Sequence, residues 1–321
     1  MEGRLTSKYS FIYRRLFTVF PILFITVTVI FFIVEIMPGD AAEVLAGPGA
    51  NLIDVERLRE MLGLDLPAHV RYYNFLVRLS TGDLGKSLTT PIPVSKLILD
   101  SLPVTLTLAF FSMGWALIIG IPAGIVSALK KNTRIDLLVS LGALFGISTP
   151  GFWLASILIL ILSVQLKILP AAGFVNPLFD PINGIKHMIL PSLTLGLILA
   201  AYIARITRSS LVEVMLQDYI LAARARGLPE KIVIYKHALK NGLIPVVTVV
   251  GFQFGGLLGG SIIIETIFSI AGMGKLLYTS ILNRDYPVIE GVAITMVVVY
   301  IFLNLLIDIV YMYLDPRVRY G

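Results

Sequence analysis

The stretch Asp218-Tyr-Ile-Leu-Ala-Ala-Arg-Ala-Arg-Gly-Leu-Pro-Glu-Lys-Ile-Val-Ile-Tyr-Lys-His-Ala-Leu-Lys-Asn-Gly-Leu-Ile-Pro245 is polar and basic, and it lies between two long apolar runs. Residues 209–226 favour a helix, Gly227 supplies a stop, and Pro229 suits the start of a second helix. Apolar residues recur there at helical spacing: Ile232, Tyr235, Ala238 and Leu239. Two short helices meeting at an elbow predict a protruding structure that fits a groove on a soluble partner. The alternative is a loop whose Arg and Lys only fix topology or contact anionic lipid.

The composition of the whole chain indicates an integral membrane protein. Hydrophobic residues make up 57% of the chain and charged residues 14%, and the mean hydropathy is +0.89. Soluble domains carry about 25% charged residues. The net charge of +6 is typical of the excess of Lys and Arg in cytoplasmic loops, so we expect contact with lipid and not with nucleic acid. The chain has no cysteine, which excludes disulfides, thiolate metal sites and cysteine nucleophiles.

Six apolar runs are long enough to span a bilayer, for which roughly 20 helical residues suffice. They cover residues 16–37, 104–129, 137–166, 189–206, 243–268 and 292–314. No pattern of short alternating strands is present, so the sequence predicts an all-α integral membrane protein with six transmembrane helices. The first run follows Arg4, Lys8, Arg14 and Arg15 as in a signal peptide. It exceeds the usual apolar region of about 7–15 residues and no small-residue cleavage site follows, so we expect an uncleaved anchor.

The distribution of Lys and Arg predicts the orientation of the spans. Sixteen of these residues fall on the side of the two termini, and ten fall on the other side. Six of those ten lie in one long loop, where charges have little influence on topology. We therefore expect both termini to be cytoplasmic.

The long outer loop, residues 38–101, has the pattern of a folded segment. Residues 54–62 have helical spacing and end at Gly63, and Pro67 suits the start of another helix. That second helix carries an apolar stripe: Tyr72, Phe75, Leu76 and Leu79. The loop is either a cap that covers helix ends or a platform for an extracytoplasmic binding protein, and the residues alone favour neither.

Two of the spans contain residues that interrupt helices. The third span contains Ser148-Thr-Pro-Gly151, and a kink is expected near Pro150 because proline removes a backbone donor. The fifth span contains five glycines between residues 251 and 260. Close helix packing is the default role of such residues, and the lining of a pathway is the alternative. The candidate pathway or gate residues are Pro150, Phe152, Gly255, Gly256 and Glu265.

The chain lacks the residue patterns of an enzyme. Its three histidines, His69, His187 and His237, are scattered and have no metal-ligand spacing. Ala271-Gly-Met-Gly-Lys275 has an incomplete phosphate-loop pattern, with Ser269 and Leu276 at two required positions. Glu35, Glu265 and Asp308 lie toward span ends. The scarcity of ionisable groups in mid-span argues against the competing class, an ion-coupled secondary transporter.

Several motifs occur in an order and at a spacing that together are highly specific. They are Thr81-Gly-Asp-Leu-Gly-Lys-Ser87, Leu102-Pro-Val-Thr-Leu106, Ser148-Thr-Pro-Gly-Phe-Trp153, Leu169-Pro-Ala-Ala-Gly173, Ala204-Arg-Ile-Thr-Arg-Ser-Ser210, His237-Ala-Leu-Lys-Asn241, Glu265-Thr-Ile-Phe268, Asn283-Arg-Asp-Tyr-Pro287 and the segment 308–317. With them, and with the opening stretch, the chain resembles permease subunits of bacterial and archaeal ABC importers of the dipeptide/oligopeptide/nickel class. The resemblance covers nearly the whole chain.

The resemblance implies a coupling loop at residues 209–241, which is the segment of the permease that the ATPase subunits bind. Its expected residues are Asp218, Tyr219, Ala222, Ala223, Ala225, Gly227, Leu228, Pro229 and His237. The sequence departs from the general motif at Leu221, where the family has Glu, and at Lys240, where it has Pro. These departures weaken any role for an acidic residue there and leave the shape of two helices and an elbow intact.

The resemblance also implies the architecture and the partners. We expect a type I ABC importer permease fold, with an N-terminal span and outer loop over residues 1–102, a core over 103–315 and a tail over 316–321. The chain would be a subunit without catalysis, cofactor or metal in a prokaryotic inner membrane. A second homologous permease, two cytoplasmic ATPases that use ATP and Mg²⁺, and an extracytoplasmic binding protein would complete the importer. Peptides are the expected cargo, with nickel complexes or short oligosaccharides as alternatives.

Overall fold

Helices dominate the computed structural model, which describes residues 2–47 and 49–314, with side chains described for 17–47, 49–259 and 261–307. Fifteen helices occur in these residues: α1 (Glu2–Ile36), α2 (Ala41–Ala46), α3 (Leu52–Met61), α4 (Ala68–Ser80), α5 (Val94–Leu129), α6 (Arg134–Ser148), α7 (Gly151–Leu158), α8 (Pro181–Val214), α9 (Asp218–Ala225), α10 (Glu230–Ile232), α11 (Leu239–Gly242), α12 (Ile244–Gly260), α13 (Ile262–Ile267), α14 (Met273–Leu282) and α15 (Tyr286–Leu314). π-Helical turns follow α7 at Ile159–Gln165 and α10 at Val233–Ala238. The side chains of Arg4, Lys8, Arg14, Arg15 and Asp308, together with Arg317, Arg319 and the tail 316–321, lie outside the described residues.

Four helical segments are each long and apolar enough to cross a membrane: Phe17–Ile36, Val94–Leu129, Pro181–Val214 and Tyr286–Ile307. Two further candidates are pairs of helices with a bend at a short break. Arg134–Ser148 and Gly151–Gln165 meet at 105°, and Glu230–Gly242 and Ile244–Gly259 meet at 45°. If each bent pair is one span, the described residues contain six, which is the number that the sequence predicts.

The observed helix bounds differ from the predicted ones at both ends of several spans. α5 begins ten residues before the predicted position 104, and α8 covers Pro181–Val214 instead of 189–206. Polar residues beyond each apolar run also favour helix, so the helices continue past the apolar stretch. At 1.5 Å per residue, the 34 residues of α8 extend roughly 50 Å, against about 30 Å of bilayer hydrocarbon.

The prediction of one helix over residues 209–226 is wrong. α8 ends at Val214, residues 215–217 form a turn, and α9 begins at Asp218. An acidic residue in the first turn stabilises a new helix start, which is the role that Asp218 has here. The break separates a span from the segment that follows it.

By internal contacts the chain divides into two units, of which the first consists of Met1–Thr105 and Ala271–Phe302. The outer loop is folded here as predicted. α3 ends at Met61, and Gly63, two residues later, has φ +65° and an N–H that donates to the carbonyl of Glu60. α4 starts directly after Pro67. Phe75 of α4 is buried against Val27, Phe31 and Ile294, and partly buried hydrophobics of the predicted stripe complete the cluster: Tyr72, Leu76 and Leu79.

The second unit consists of Leu106–Ile270 and Leu303–Gly321. α8 is its central helix and packs against α6, α7, α11, α12 and α13. α5 also approaches α8 closely, because a Cβ on Gly124 would lie 2.6 Å from the carbonyl oxygen of Ala204. Likewise, a Cβ on Gly196 would lie 2.9 Å from the carbonyl oxygen of Ser112. Small residues therefore allow the backbones of these two helices to meet.

Candidate functional site

The segment between α8 and α12 folds back on itself and forms what we call the knob, residues 215–242. α9, α10, the second π-helical turn and α11 make up most of it. Its inner side is a small hydrophobic cluster with four side chains from the knob and two from α5 and α8: Ile220, Ala223, Val233, Ala238, Ala128 and Leu211. This cluster fixes the knob to the ends of the two long helices.

The elbow of the knob is a glycine-terminated helix end. Gly227 has φ +77°, its N–H donates to the carbonyl of Arg224 at 2.9 Å, and the N–H of Leu228 donates to the carbonyl of Ala223 at 3.4 Å. This pair of bonds is a Schellman motif, which requires a left-handed residue at the position of Gly227. A Cβ there would meet no atom within 4 Å, so the requirement for glycine comes from the backbone and not from lack of space.

Two side-chain contacts close the knob around this elbow. Arg224 donates to Glu230 from Nη2 at 2.7 Å and from Nε at 3.2 Å, and this hydrogen bonding raises the pKa of Arg224 above its ordinary value. Asn241 Nδ2 donates to the hydroxyl of Tyr219 at 2.9 Å. The guanidinium of Arg224 therefore stays charged at any physiological pH. Both contacts join residues that lie on opposite sides of the elbow in the sequence.

The outer side of the knob exposes a group of large hydrophobic side chains. Their exposed fractions lie between 36% and 68%: Leu216, Tyr219, Leu221, Leu228, Ile232 and Tyr235. Charged residues that are also exposed surround them: Asp218, Arg226, Lys231 and Lys236. Apolar anchors with a charged rim are the usual composition of a protein-binding surface.

The predicted coupling residues take different places in this geometry. Seven of them are exposed: Asp218, Tyr219, Ala222, Ala225, Gly227, Leu228 and Pro229. His237 is half-buried, whereas Ala223 is 7% exposed and belongs to the inner cluster. Ala223 therefore supports the fold of the knob, and Ala222 beside it faces outward.

An ion pair at the base of the knob was missed by the reasoning from sequence. Arg208 of α8 donates to both carboxylate oxygens of Asp136 on α6, at 2.5 Å and 2.8 Å. Asp136 also accepts from Ser127 Oγ of α5 at 2.6 Å and from the N–H of Asn132 at 2.9 Å. One nearly buried carboxylate thus joins α5, α6 and α8 close to the point where α8 leads into the knob. The signal in the sequence was a pair of opposite charges, each at the polar end of a span.

The candidate pathway residues are only partly brought together. A cavity of about 360 Å³ in the second unit is lined by Phe152, Gly256 and Gln253, with Gly151 directly after Pro150. The remaining lining residues are apolar: Leu195, Ile198, Leu199, Leu257, Ile263 and Ile264. Gly255 is buried and does not line the cavity, and neither does Glu265, which accepts from Ser261 Oγ at 2.9 Å.

The first unit contains a buried carboxylate that the sequence analysis also did not single out. Asp285 is 2% exposed and accepts from the hydroxyl of Ser87 at 2.5 Å, the N–H of Leu88 at 3.0 Å and the hydroxyl of Thr89 at 3.0 Å. It therefore fixes residues 87–89 of the outer loop to the turn between α14 and α15. Two motifs named above, at 81–87 and 283–287, are neighbours for this reason.

The first unit also has surface features on the outer loop and beside it. Glu35 forms an ion pair with Arg71, and a cavity of about 750 Å³ is lined by these two residues together with Arg78, Lys86 and Glu290. Three apolar side chains of α3 are exposed by more than 60%: Leu52, Ile53 and Met61. Among the described residues, no group of three or more His, Cys, Asp or Glu could hold a metal ion.

Comparison with known proteins identifies the class of this helical chain. Residues 120–320 match the family described as binding-protein-dependent transport system inner membrane component. Residues 8–109 match the N-terminal model for the membrane components of the same transport systems. The chain therefore belongs to the family of binding-protein-dependent transport system inner membrane components. It is a multi-pass membrane subunit of an ABC importer and not an enzyme, as the resemblance predicts.

The relatives match along nearly their full lengths. The chain is 43% identical to the dipeptide transport system permease protein DppB of Alkalihalophilus pseudofirmus, covering 96% of this chain and 98% of that protein. It is 41% identical to the glutathione transport system permease protein GsiC of Escherichia coli, covering 97% of this chain and 99% of the relative. The chain is 40% identical to a putative peptide transport system permease protein of Brucella abortus, covering 97% of this chain and 99% of that protein.

A solved structure supports the fold. The inward-facing MetNI methionine ABC transporter contains a chain that aligns with a TM-score of 0.58 at 20% identity, covering 69% of this chain and 97% of that one. At this identity the likeness concerns the fold alone. It confirms the predicted type I importer permease architecture.

Proposed function

We propose that this chain forms part of the translocation pathway of an ATP-driven importer of di- and oligopeptides. The observation that carries the proposal is the near full-length similarity to permeases named for dipeptide, glutathione and peptide transport. The cavity lined by Phe152, Gln253 and Gly256 supports a place for cargo along the path. Its lining is mainly apolar, which suits a path that carries peptides of varied side chains without holding any of them tightly.

The knob is the proposed docking surface for a cytoplasmic ATPase. Its exposed hydrophobic side chains, among them Leu221, Leu228 and Tyr235, would fill a groove on that subunit while the charged rim sets the orientation. Leu221 replaces the Glu of the general motif, so the anchor here is apolar. Family membership implies ATPase and binding-protein partners in general, and we propose two ATPases and a second homologous permease in the assembly. ATP and Mg²⁺ would be bound by the ATPases.

The proposed mechanism is a two-state switch. ATP binding would close the two ATPases and draw the knobs toward each other, and hydrolysis would reset them. A ligand shifts such an equilibrium only by its differential affinity for the two states, so the knob has to move together with the spans. The bond network of Asp136, Arg208 and Ser127 supports this coupling because it joins three helices at the base of the knob.

The proposed orientation places the knob and both termini in the cytoplasm and the outer loop on the other side. The excess of Lys and Arg on the knob side supports it. In this orientation the exposed Leu52, Ile53 and Met61 of α3 are available to the extracytoplasmic binding protein. The folded outer loop would then serve as its platform.

The test uses the assembled importer with its ATPases, in vesicles, supplied with delivery protein, ATP and a labelled dipeptide. Ala222→Arg places a charge on the exposed face of the knob, and we expect uptake to fall at least tenfold while the permease still inserts. Ala68→Arg is the matched control, because Ala68 is exposed on α4, outside the knob, and a permease with this change should still copurify with the ATPases, whereas Ala222→Arg should not. Normal uptake by Ala222→Arg would contradict the docking role of the knob, and uptake without ATP would contradict the importer itself.

A further inference from the structure

The second unit contains an apolar groove that the proposed transport function does not use. One part, of about 400 Å³, lies between α5, α6, α7 and α8. An adjoining part, of about 370 Å³, lies nearer the knob. The two parts share Val139, Ala143 and Ala204 in their linings and therefore form one continuous groove along α6 and α8.

The first part of this groove suits hydrocarbon. Its lining is rich in small residues, including Ala123, Gly142, Gly146 and Ala201. Gly146 and Ala201 form the floor, because a Cβ on Gly146 would lie 2.7 Å from the Cβ of Ala201. Above Gly142, by contrast, a Cβ would meet no atom within 4 Å. The hydroxyl of Thr149, also in the lining, donates to the carbonyl of Phe145 at 2.7 Å. Its proton is therefore already hydrogen-bonded and does not require a polar partner from the groove.

The part nearer the knob has a different chemistry. Arg205, Arg208, Ser140 and Ser209 line it, and no acidic residue does. Arg205 is exposed and makes no hydrogen bond or ion pair with any residue that the structure describes. Arg208, which also lines this part, binds Asp136 through Nε and Nη2, and Nη1 takes no part in that ion pair. Two guanidinium groups and the Ser209 hydroxyl are donors that suit a phosphate oxygen.

The position of Arg205 along α8 corresponds to the membrane interface. Residues 188–204 carry no charge, and Arg205, one residue before the end of the predicted apolar run 189–206, is the first charged residue after them. Basic residues directly beyond an apolar span meet the headgroups of anionic lipids. The cations of the groove therefore lie at headgroup depth, and its small-residue part extends into the hydrocarbon.

We propose that this groove binds one anionic phospholipid, with its phosphate at Arg205 and Arg208 and an acyl chain over Gly142. Charge complementarity at one end and a continuous apolar floor at the other identify the occupant. A helix of a second permease would need no cations at this depth. A free phosphate would leave the apolar part of the groove empty.

The first experiment measures lipid retained by the purified importer, with its partner subunits, from membranes containing phosphatidylglycerol and phosphatidylcholine. Native mass spectrometry after delipidation should find phosphatidylglycerol on the wild type. Arg205→Ala should lower the retention of phosphatidylglycerol roughly fivefold, because one interfacial cation contributes about that factor to the affinity for an anionic lipid. Arg205→Lys should restore most of this retention. Lys131→Ala is the matched control, since Lys131 is an exposed cation in the α5–α6 loop outside the groove lining, and it should retain the lipid.

The second experiment uses the absence of cysteine from the chain. Gly142→Cys gives this subunit one thiol inside the groove, and a phosphatidylglycerol with a thiol-reactive acyl chain should label it, while soluble glycerol phosphate should not compete. Equal retention of both lipids, or equal loss from Arg205→Ala and Lys131→Ala, would mean ordinary boundary lipid and overturn the proposal. Cross-linking of residue 142 to the second permease instead of to lipid would overturn it as well. These results do not depend on peptide transport, so they are separate from the test of the proposed function.

Discussion

Gly227 is the residue on which the shape of the knob depends most directly. Its φ of +77° lies in the region where non-glycine L-residues cost about 1–2 kcal/mol and where Asn is tolerated better than β-branched residues. Because a Cβ there meets no atom within 4 Å, the backbone alone decides the outcome. We expect Gly227→Val to uncouple ATP hydrolysis from peptide uptake and Gly227→Asn to retain most of the coupling.

The measurement is the ratio of peptide taken up to ATP hydrolysed by the assembled importer, with membrane insertion checked in parallel. Gly227→Pro should be at least as damaging as Gly227→Val, since proline fixes φ near −65° and removes the N–H that bonds to Arg224. Equal ratios for Val and Asn at position 227 would show that the left-handed backbone is not needed for coupling.

The pair of Asp136 and Arg208 makes a second prediction at the scale of single residues. Arg208→Ala would leave a nearly buried carboxylate without its cation. We expect the free energy of unfolding to fall by less than the about 3–5 kcal/mol of a fully buried pair, because Arg208 is 31% exposed. Asp136→Asn combined with Arg208→Gln removes both charges and should cost less than Arg208→Ala alone. Thermal unfolding in detergent, followed for the single and double variants, checks this. If the double variant were the less stable one, the carboxylate would not need Arg208.

The helix end at Gly227 was predictable from the sequence, and the ion pair of Asp136 and Arg208 was not, for a physical reason. Gly227 and Pro229 signal a helix end and a new start because their backbone preferences are local. Asp136 and Arg208 are 72 positions apart, and nothing in either neighbourhood indicates the other. The burial of Ala223 was missed likewise, because which face of α9 turns inward depends on Val233 and Ala238 packing against it.

At the scale of elements, the loop at residues 87–89 depends on the buried carboxylate of Asp285. Asp285→Ala would remove the acceptor for the hydroxyls of Ser87 and Thr89 and for the N–H of Leu88. We expect the loop to open, so that trypsin cleaves after the exposed Lys86 many times faster than in the wild type. Association with the ATPases should be unchanged.

Asp83→Ala is the matched control for that prediction. Asp83 is exposed and accepts one backbone bond in the described structure, from the N–H of Gly85 at 2.9 Å. Its loss should change the cleavage rate at Lys86 little. If Asp285→Ala and Asp83→Ala were cleaved at equal rates, Asp285 would not hold the loop.

The existence of the membrane-spanning helices was predictable from the sequence, and the angles between them and their exact ends were not. The six apolar runs and the interruption at Pro150 follow from hydropathy and from the missing N–H of proline. The bend of 105° between the helices on either side of Pro150 depends on how α7 packs against α8 and α13. The turn at residues 215–217 carries no Gly or Pro, so no local signal marks the end of α8.

At the scale of the whole molecule, the two ends of the spans should face different compartments. The knob exposes apolar side chains with a basic rim, and the outer loop is a folded segment that exposes Leu52, Ile53 and Met61. Each surface suits a soluble protein partner, and the excess of Lys and Arg on the knob side supports the proposed cytoplasmic position of the knob. An importer needs this separation, because delivery and energy supply occur on opposite sides of the membrane.

The absence of cysteine allows a direct test of this orientation. Ala225→Cys puts a thiol on the exposed face of the knob, and Leu52→Cys puts one on the outer loop, where the side chain is 85% exposed. In intact cells stripped of any outer membrane, a membrane-impermeant maleimide should label position 52 at once and position 225 only after the membrane is opened. Labelling at 225 should fall again when the ATPases are present, since they would cover it. Rapid labelling of position 225 in sealed cells would reverse the proposed topology, and with it the assignment of the knob to the ATPases.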